Sequence, residues 1–192
     1  MKTNFKYKII RKVLDPNMAG FLSNYLRLKR ECFFTMYKDL PFGFLGVYPD
    51  DQCPNAFSTY GDIATDTLLV MLKPLCEKYL KMPLLPTYSY ARVYDKNSIL
   101  KKHIDRPSCD FSTTMNLGGD PWPIFMEGKK INLKPGDMLI YRGCKLEHWR
   151  EPFKGNFCSQ VFLHYNNAED KNNLFDGRKH LGLPYSVRAD SK

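Results

Sequence analysis

No stretch of this chain approaches the ~20 consecutive apolar residues that a membrane-spanning helix needs. Residues 1–8 lack the apolar core and small-residue cleavage site of a secretory signal, so a cytoplasmic location and no membrane partner are expected. The six cysteines, Cys32, Cys53, Cys76, Cys109, Cys144 and Cys158, contain no C-x-x-C pair. They are expected to be free thiols in a reducing compartment, which argues against a disulfide framework and against zinc held by sulfur. Repeats, linkers and low-complexity segments are also missing. The net charge is +9, yet no run of lysine or arginine forms a basic tail. Such a balance fits a solvated basic surface better than a dedicated nucleic-acid track, and leaves nucleic acid as the weaker candidate partner. Histidine is scarce, with four in 192 residues, so the position of each one carries weight.

The length suffices for one domain with a sizeable core. Residues 1–84 read as mostly helical support. A helix is expected over 18–37, with Phe21, Leu22, Tyr25, Leu26 and Leu28 as a ragged apolar stripe. Residues 40–61, rich in glycine, proline and aromatics, read as ordered loop. Asp62 is a natural N-cap for a second helix carrying Ala64, Leu68, Met71, Leu72, Leu75 and Tyr79, with Pro74 inside it as an expected kink.

From residue 87 the period changes to two. Tyr88, Tyr90, Arg92 and Tyr94 alternate with small or apolar residues. Further short strands are expected over 111–117, 122–126, 130–133, 138–141 and 157–165. Pro135-Gly136-Asp137 is a turn in which proline presets φ and glycine takes the positive φ. Short strands at regular spacing point to a mainly β member of the α+β class, a jelly roll (double-stranded β-helix, cupin-like) over 85–166 with N-terminal supporting helices. Residues 167–192 form a polar tail, expected to dock loosely.

His103 and Asp105 stand two apart, so on a strand both side chains leave the same face. His-x-Asp arises by accident in roughly one such chain in five, and His103 beside Lys101 and Lys102 reads equally as a surface histidine. A second histidine, His148 in Glu147-His148-Trp149, follows the intervening strands; alone it reads equally as a core residue. A double-stranded β-helix brings such distant strands onto one metal. Two imidazoles and one carboxylate on one face suit Fe(II) rather than Mg(II) or Ca(II), and leave three coordination positions open. Trp149, Trp122 and Tyr94 are candidate walls of the site.

These residues form an ordered set: Leu85-Pro86-Thr87-Tyr88-Ser89-Tyr90-Ala91-Arg92-Val93-Tyr94, then His103-Ile104-Asp105-Arg106-Pro107, then Leu133-Lys134-Pro135-Gly136-Asp137-Met138-Leu139, then Glu147-His148. The set resembles the Fe(II)- and 2-oxoglutarate-dependent oxygenase superfamily, in its prolyl-hydroxylase-like branch, over about residues 84–166. The resemblance implies a dioxygenase in which His103, Asp105 and His148 hold iron and are not themselves acid–base catalysts. It implies 2-oxoglutarate and O2 as cosubstrates, ascorbate as a candidate accessory, and release of succinate and CO2 as a substrate is hydroxylated. The substrate class stays open between a protein side chain, prolyl among them, a small molecule and a nucleobase. A non-catalytic jelly-roll binding module is the alternative from another class.

One departure from that branch stands out. Its members carry an arginine or lysine on the last strand, about ten residues past the distal histidine, for the C5 carboxylate of 2-oxoglutarate. Here the zone is Phe157-Cys158-Ser159-Gln160, with no base. A carboxylate buried without a cation is costly, so the charge is expected from elsewhere. Arg92 is the first choice, because it shares a strand face with Tyr94 and the resemblance puts a tyrosine of that strand on 2-oxoglutarate. Lys154 and Arg106 are alternatives, and Gln160 is a candidate hydrogen-bond donor. Arg106 is also placed to meet an anionic substrate at the mouth, or to pair with Asp110 or Glu147. His164 and His180 are assigned to structure or surface, and Cys109 and Cys144 only flank the site in sequence.

Overall fold

A computed structural model describes residues 5–170 and 176–184; the rest of the 167–192 tail lies outside the described residues. Strand β1 (Tyr7–Ile10) leads into helix α1 (Pro16–Met36), then β2 (Ala56–Tyr60) and helix α2 (Ile63–Leu80). Eight strands follow: β3 (Leu84–Asp95), β4 (Leu100–His103), β5 (Phe111–Gly119), β6 (Ile124–Met126), β7 (Lys129–Ile131), β8 (Met138–Tyr141), β9 (His148–Arg150) and β10 (Phe157–Asn167). The large sheet runs β1-β8-β5-β10-β3-β2 and the small one β4-β9-β6-β7, with all pairs antiparallel. The chain crosses repeatedly between the two sheets from β3 to β10, which makes the jelly roll expected from the sequence.

Both helices end where local chemistry dictates. The Asp15 carboxylate accepts from Asn17 N at 2.8 Å with Pro16 opening α1, and Asp62 accepts from Ala64 N at 2.9 Å at the start of α2. Lys81, at φ +56°, closes α2 in the left-handed region. The Asp137 N–H donates to Lys134 O at 2.9 Å with Gly136 at φ +84°, completing the anticipated turn.

Alternation along β3 and β10 divides their residues between two cores. Ala91, Val93, Val161 and Leu163 face the helices, where they join Leu22, Leu26, Leu69 and Cys76. Tyr94, Cys158 and Phe162 face the interior between the sheets, with Trp122 and Phe153. Most of the expected helical stripe packs inward: Leu22, Leu26 and Leu68 are buried and Tyr25, Ala64, Leu72 and Leu75 pack against the core, whereas Phe21, Leu28, Met71 and Tyr79 are exposed.

Two expectations are corrected. Residues 40–61 are not loop throughout, since β2 pairs with β3 from Ala56↔Tyr94 to Tyr60↔Tyr90 and completes one edge of the large sheet. The tail is held firmly over 176–184. Arg178 is buried and ion-paired with Asp66 at 2.9 Å and with Asp176. Among the described residues no helix is long and apolar enough to cross a membrane.

Candidate metal centre

Strand pairing brings the two histidines together. His103 ends β4 and lies opposite His148, the first residue of β9. Their rings sit 4.2 Å apart between centroids, inclined at 52°. Asp105 follows two residues later, its N–H donating to Gly143 O at 2.9 Å, and its Oδ1 lies 3.7 Å from His103 Nε2 and 3.5 Å from His148 Nε2. One ligand atom from each of the three falls within 4.8 Å of the others.

Each imidazole is oriented by its own chain. His103 Nδ1 lies 2.8 Å from Lys101 O, and His148 Nδ1 lies 2.9 Å from Leu146 O. A carbonyl only accepts, so both Nδ1 atoms carry the proton and both Nε2 lone pairs are left facing Asp105. Burial, then the neighbouring His148, holds the His103 pKa below its ordinary value. Burial alone would raise the Asp105 pKa. Its polar contacts, the hydrogen bond from Ser112 among them, outweigh it and hold the carboxyl well below the usual range. Three lone-pair donors therefore converge with one formal negative charge, a donor set that fits a divalent transition metal.

A supporting layer lies behind the carboxylate. The Ser112 hydroxyl donates to Asp105 Oδ2 at 2.6 Å, and its oxygen lies 3.0 Å from His164 Nδ1. The hydroxyl proton is committed to the carboxylate, so His164 is the donor to Ser112. Tyr88 packs on His164 with ring centroids 4.4 Å apart. Gly143 has no side chain because none fits, as a methyl group there would overlap Ser112 Oγ and Asp105 Oδ2.

The triad opens on a cavity of about 470 Å³ lined also by Tyr88, Tyr90, Leu100, Ile124, Tyr141 and Phe162. At its mouth Tyr60 stacks on Tyr88, with centroids 4.6 Å apart and planes 8° apart. Arg106 spans that stack, donating to Tyr88 OH at 3.1 Å and Tyr60 OH at 3.3 Å. The acids considered as its partners are taken by others: Asp110 by Arg142 and Glu147 by Lys102.

The remaining expected residues are distributed unevenly. Arg92 lines the cavity, but its Nη2 already lies 3.0 Å from Asp50 Oδ1 and donates to Gln52 Oε1 at 2.7 Å. Tyr94 is wholly buried, edge-on to Trp122 at 4.8 Å, and Arg92 Nη1 reaches its hydroxyl at 3.4 Å. Gln160 is buried, accepting from Thr114 Oγ1 at 3.3 Å and donating to Cys158 Sγ at 3.2 Å. Lys154 is exposed. None of the three expected walls lines the cavity: Tyr94 and Trp122 pack in the core between the sheets, and Trp149 points to the opposite side of β9 from His148 and stacks on Phe125 at 5.3 Å. Cys109 lines the cavity, and Cys144 instead contacts Asp110. Of the two roles expected for His164 the structural one holds: it is buried, lines the cavity and braces Ser112. Its parity with Gln160 and Phe162 on β10 was the available signal.

No protein-family model matches the chain, and no curated protein sequence matches it. Solved structures do. A prolyl-4-hydroxylase from Pseudomonas putida superposes with a TM-score of 0.65 at 12% identity, covering 85% of this chain and 94% of that one. The viral collagen prolyl hydroxylase of Paramecium Bursaria Chlorella virus-1, in complex with 2-oxoglutarate, gives 0.61 at 12% identity, covering 84% and 96%. HygX from Streptomyces hygroscopicus, with nickel, 2-oxoglutarate and hygromycin B bound, gives 0.58 at 13% identity, covering 85% and 84%. The chain thus has the jelly-roll fold of the 2-oxoglutarate–Fe(II) oxygenases, in the form seen in prolyl hydroxylases.

Proposed function

We propose that this protein is an Fe(II)- and 2-oxoglutarate-dependent dioxygenase that hydroxylates a side chain of a protein, prolyl among the candidates. The observation that carries the reading is the convergence of His103 Nε2, His148 Nε2 and Asp105 Oδ1 on the wall of a cavity large enough for a cosubstrate and part of a substrate. Iron and 2-oxoglutarate, when bound, would supply O2 activation coupled to oxidative decarboxylation, yielding succinate, CO2 and a hydroxylated product.

The chain's own residues set the conditions for that chemistry. His103 and His148 present Nε2 because backbone carbonyls fix the proton on Nδ1. Asp105 supplies the single negative charge, and Ser112 keeps one of its oxygens turned away. Leu100, Ile124 and Phe162 give the cavity an apolar wall. Arg106, with the Tyr60–Tyr88 stack, presents a flat aromatic and cationic rim to whatever enters.

The test is succinate formation by Fe(II)-loaded protein with 2-oxoglutarate, with and without proline-containing peptides. The expected result is turnover that a peptide stimulates and that Asp105→Ala abolishes. Turnover stimulated only by small molecules or nucleobases moves the substrate assignment; metal binding with no 2-oxoglutarate consumption under any of these conditions overturns the enzyme.

A further inference from the structure

Three arginines are buried among the described residues: Arg92, Arg150 and Arg178. Arg92 holds Asp50, and Arg178 holds Asp66 and Asp176. Arg150 holds no carboxylate among the described residues, although it is only 1% exposed. Its Nη1 donates to Trp122 O, its Nη2 lies 3.4 Å from Thr114 Oγ1, and its Nε has no partner. The guanidinium rests over the Trp122 ring at 5.1 Å. An arginine cannot shed its charge to escape such a place, and a buried cation without an anion is costly. The buried guanidinium of Arg150 is therefore left open to an anion that the described residues do not themselves supply.

Position says which anion. Arg150 stands two residues after His148 on β9, so both side chains project from one face of the strand. Its cross-strand partner Leu100 lines the cavity beside the triad. The groups gathered around the guanidinium are otherwise neutral hydrogen-bonding ones: the Thr114 hydroxyl, and through it the Gln160 amide. Through Thr114 and Gln160, whose amide meets Cys158 Sγ at 3.2 Å, Arg150 is linked to the zone of β10 that lacks a base of its own. Two strand residues cover roughly 6.6 Å. The four C–C bonds of an extended five-carbon diacid separate its carboxyl carbons by roughly 5 Å. A diacid with one end at the triad thus has the reach to place its other end near Arg150.

We propose that Arg150 receives the C5 carboxylate of 2-oxoglutarate, assisted by Thr114 and Gln160, in place of a cation on the last strand. This deepens the function proposed above and rests on it. Arg92 is left to fix the loop around Asp50 and Gln52.

The experiment is calorimetric titration of Mn(II)-loaded full-length protein with 2-oxoglutarate and, separately, with 2-oxobutyrate, which keeps the keto acid and lacks the second carboxylate. The wild type is expected to prefer 2-oxoglutarate strongly. Arg150→Met should weaken 2-oxoglutarate by about 100-fold while leaving Mn(II) and 2-oxobutyrate affinities unchanged, and Arg150→Lys should recover part of the loss. An Arg150→Met protein that discriminates between the two acids as the wild type does overturns the proposal. If Arg150→Met does not fold, the fluorescence of Trp122 in a Trp149→Phe protein decides. A change with 2-oxoglutarate that 2-oxobutyrate does not produce supports the proposal, and equal responses overturn it. Binding of neither acid by the Mn(II)-loaded wild type is a separate outcome: it removes the cosubstrate reading itself, and this proposal falls with it.

Discussion

Ser112 gives its only hydroxyl proton to Asp105, at 2.6 Å from Oδ2, and so turns Oδ1 toward the two histidines. Groups that brace a metal ligand in this way commonly change affinity by about 10- to 100-fold when removed. Ser112→Ala should therefore weaken Mn(II) binding by about that factor while the protein still folds. Gly143→Ala should do at least as much by a different route, because its methyl group would displace the same carboxylate. Mn(II) titrations of both variants against the wild type measure this.

Metal should also stabilise the fold. A ligand present at 100 times its Kd adds about 2.7 kcal/mol, which for a chain of this size raises Tm by roughly 5–10 °C. Thermal melts with and without Mn(II) are expected to show that rise in the wild type and its loss on adding a chelator. Asp105→Ala should melt at one temperature with or without the ion. A rise that survives Asp105→Ala would mean the metal binds elsewhere.

The triad was legible in the sequence because its chemistry is rare there and its spacing implies a shared strand face. The jelly roll was legible because glycine and proline turns punctuate its strands. What was not legible depends on partners distant along the chain. Arg92 looked like a free cation because Asp50, 42 residues earlier, becomes its partner only when residues 40–61 fold back over β3. Arg150 attracted no notice because β9 is three residues long, too short to display an alternation. The β2 strand was hidden in a segment whose glycines and prolines outweigh the pattern of Phe57 and Thr59, and it is held by pairing with β3 rather than by propensity.

Burial holds the His164 pKa down, to about 4, and the charge of Asp105 offsets this only in part. Its ordinary value is about 6.5. Between those limits the unfolded chain binds a proton that the folded chain refuses, so stability falls as pH drops from about 6.5 to about 4. The loss at the lower end is at most about 3 kcal/mol. His103 is shifted in the same direction and adds to the effect in metal-free protein. Urea unfolding of the metal-free wild type across this range should show the decline, and His164→Asn should flatten it. An equally steep decline in His164→Asn would place the titration on other groups.

Arg178 fastens the tail to the body of the fold. Its Nη1 lies 2.9 Å from Asp66 Oδ2, and the other oxygen of Asp66 accepts from Ser89 N at 3.0 Å and Ser89 Oγ at 2.6 Å. The same arginine approaches Gly61 so closely that no side chain fits there, and its partner Asp176 accepts from Tyr60 OH at 3.1 Å. Tail, α2 and cavity mouth are thereby tied to one buried charge. Arg178→Met leaves Asp66, 2% exposed, with no cation, which should cost about 3–5 kcal/mol and lower Tm by on the order of 10 °C. The cost lies in the stranded carboxylate more than in the lost pair. Adding Asp66→Leu to Arg178→Met should therefore recover a large part of it, and thermal melts of the single and double variants decide between a stranded charge and lost packing.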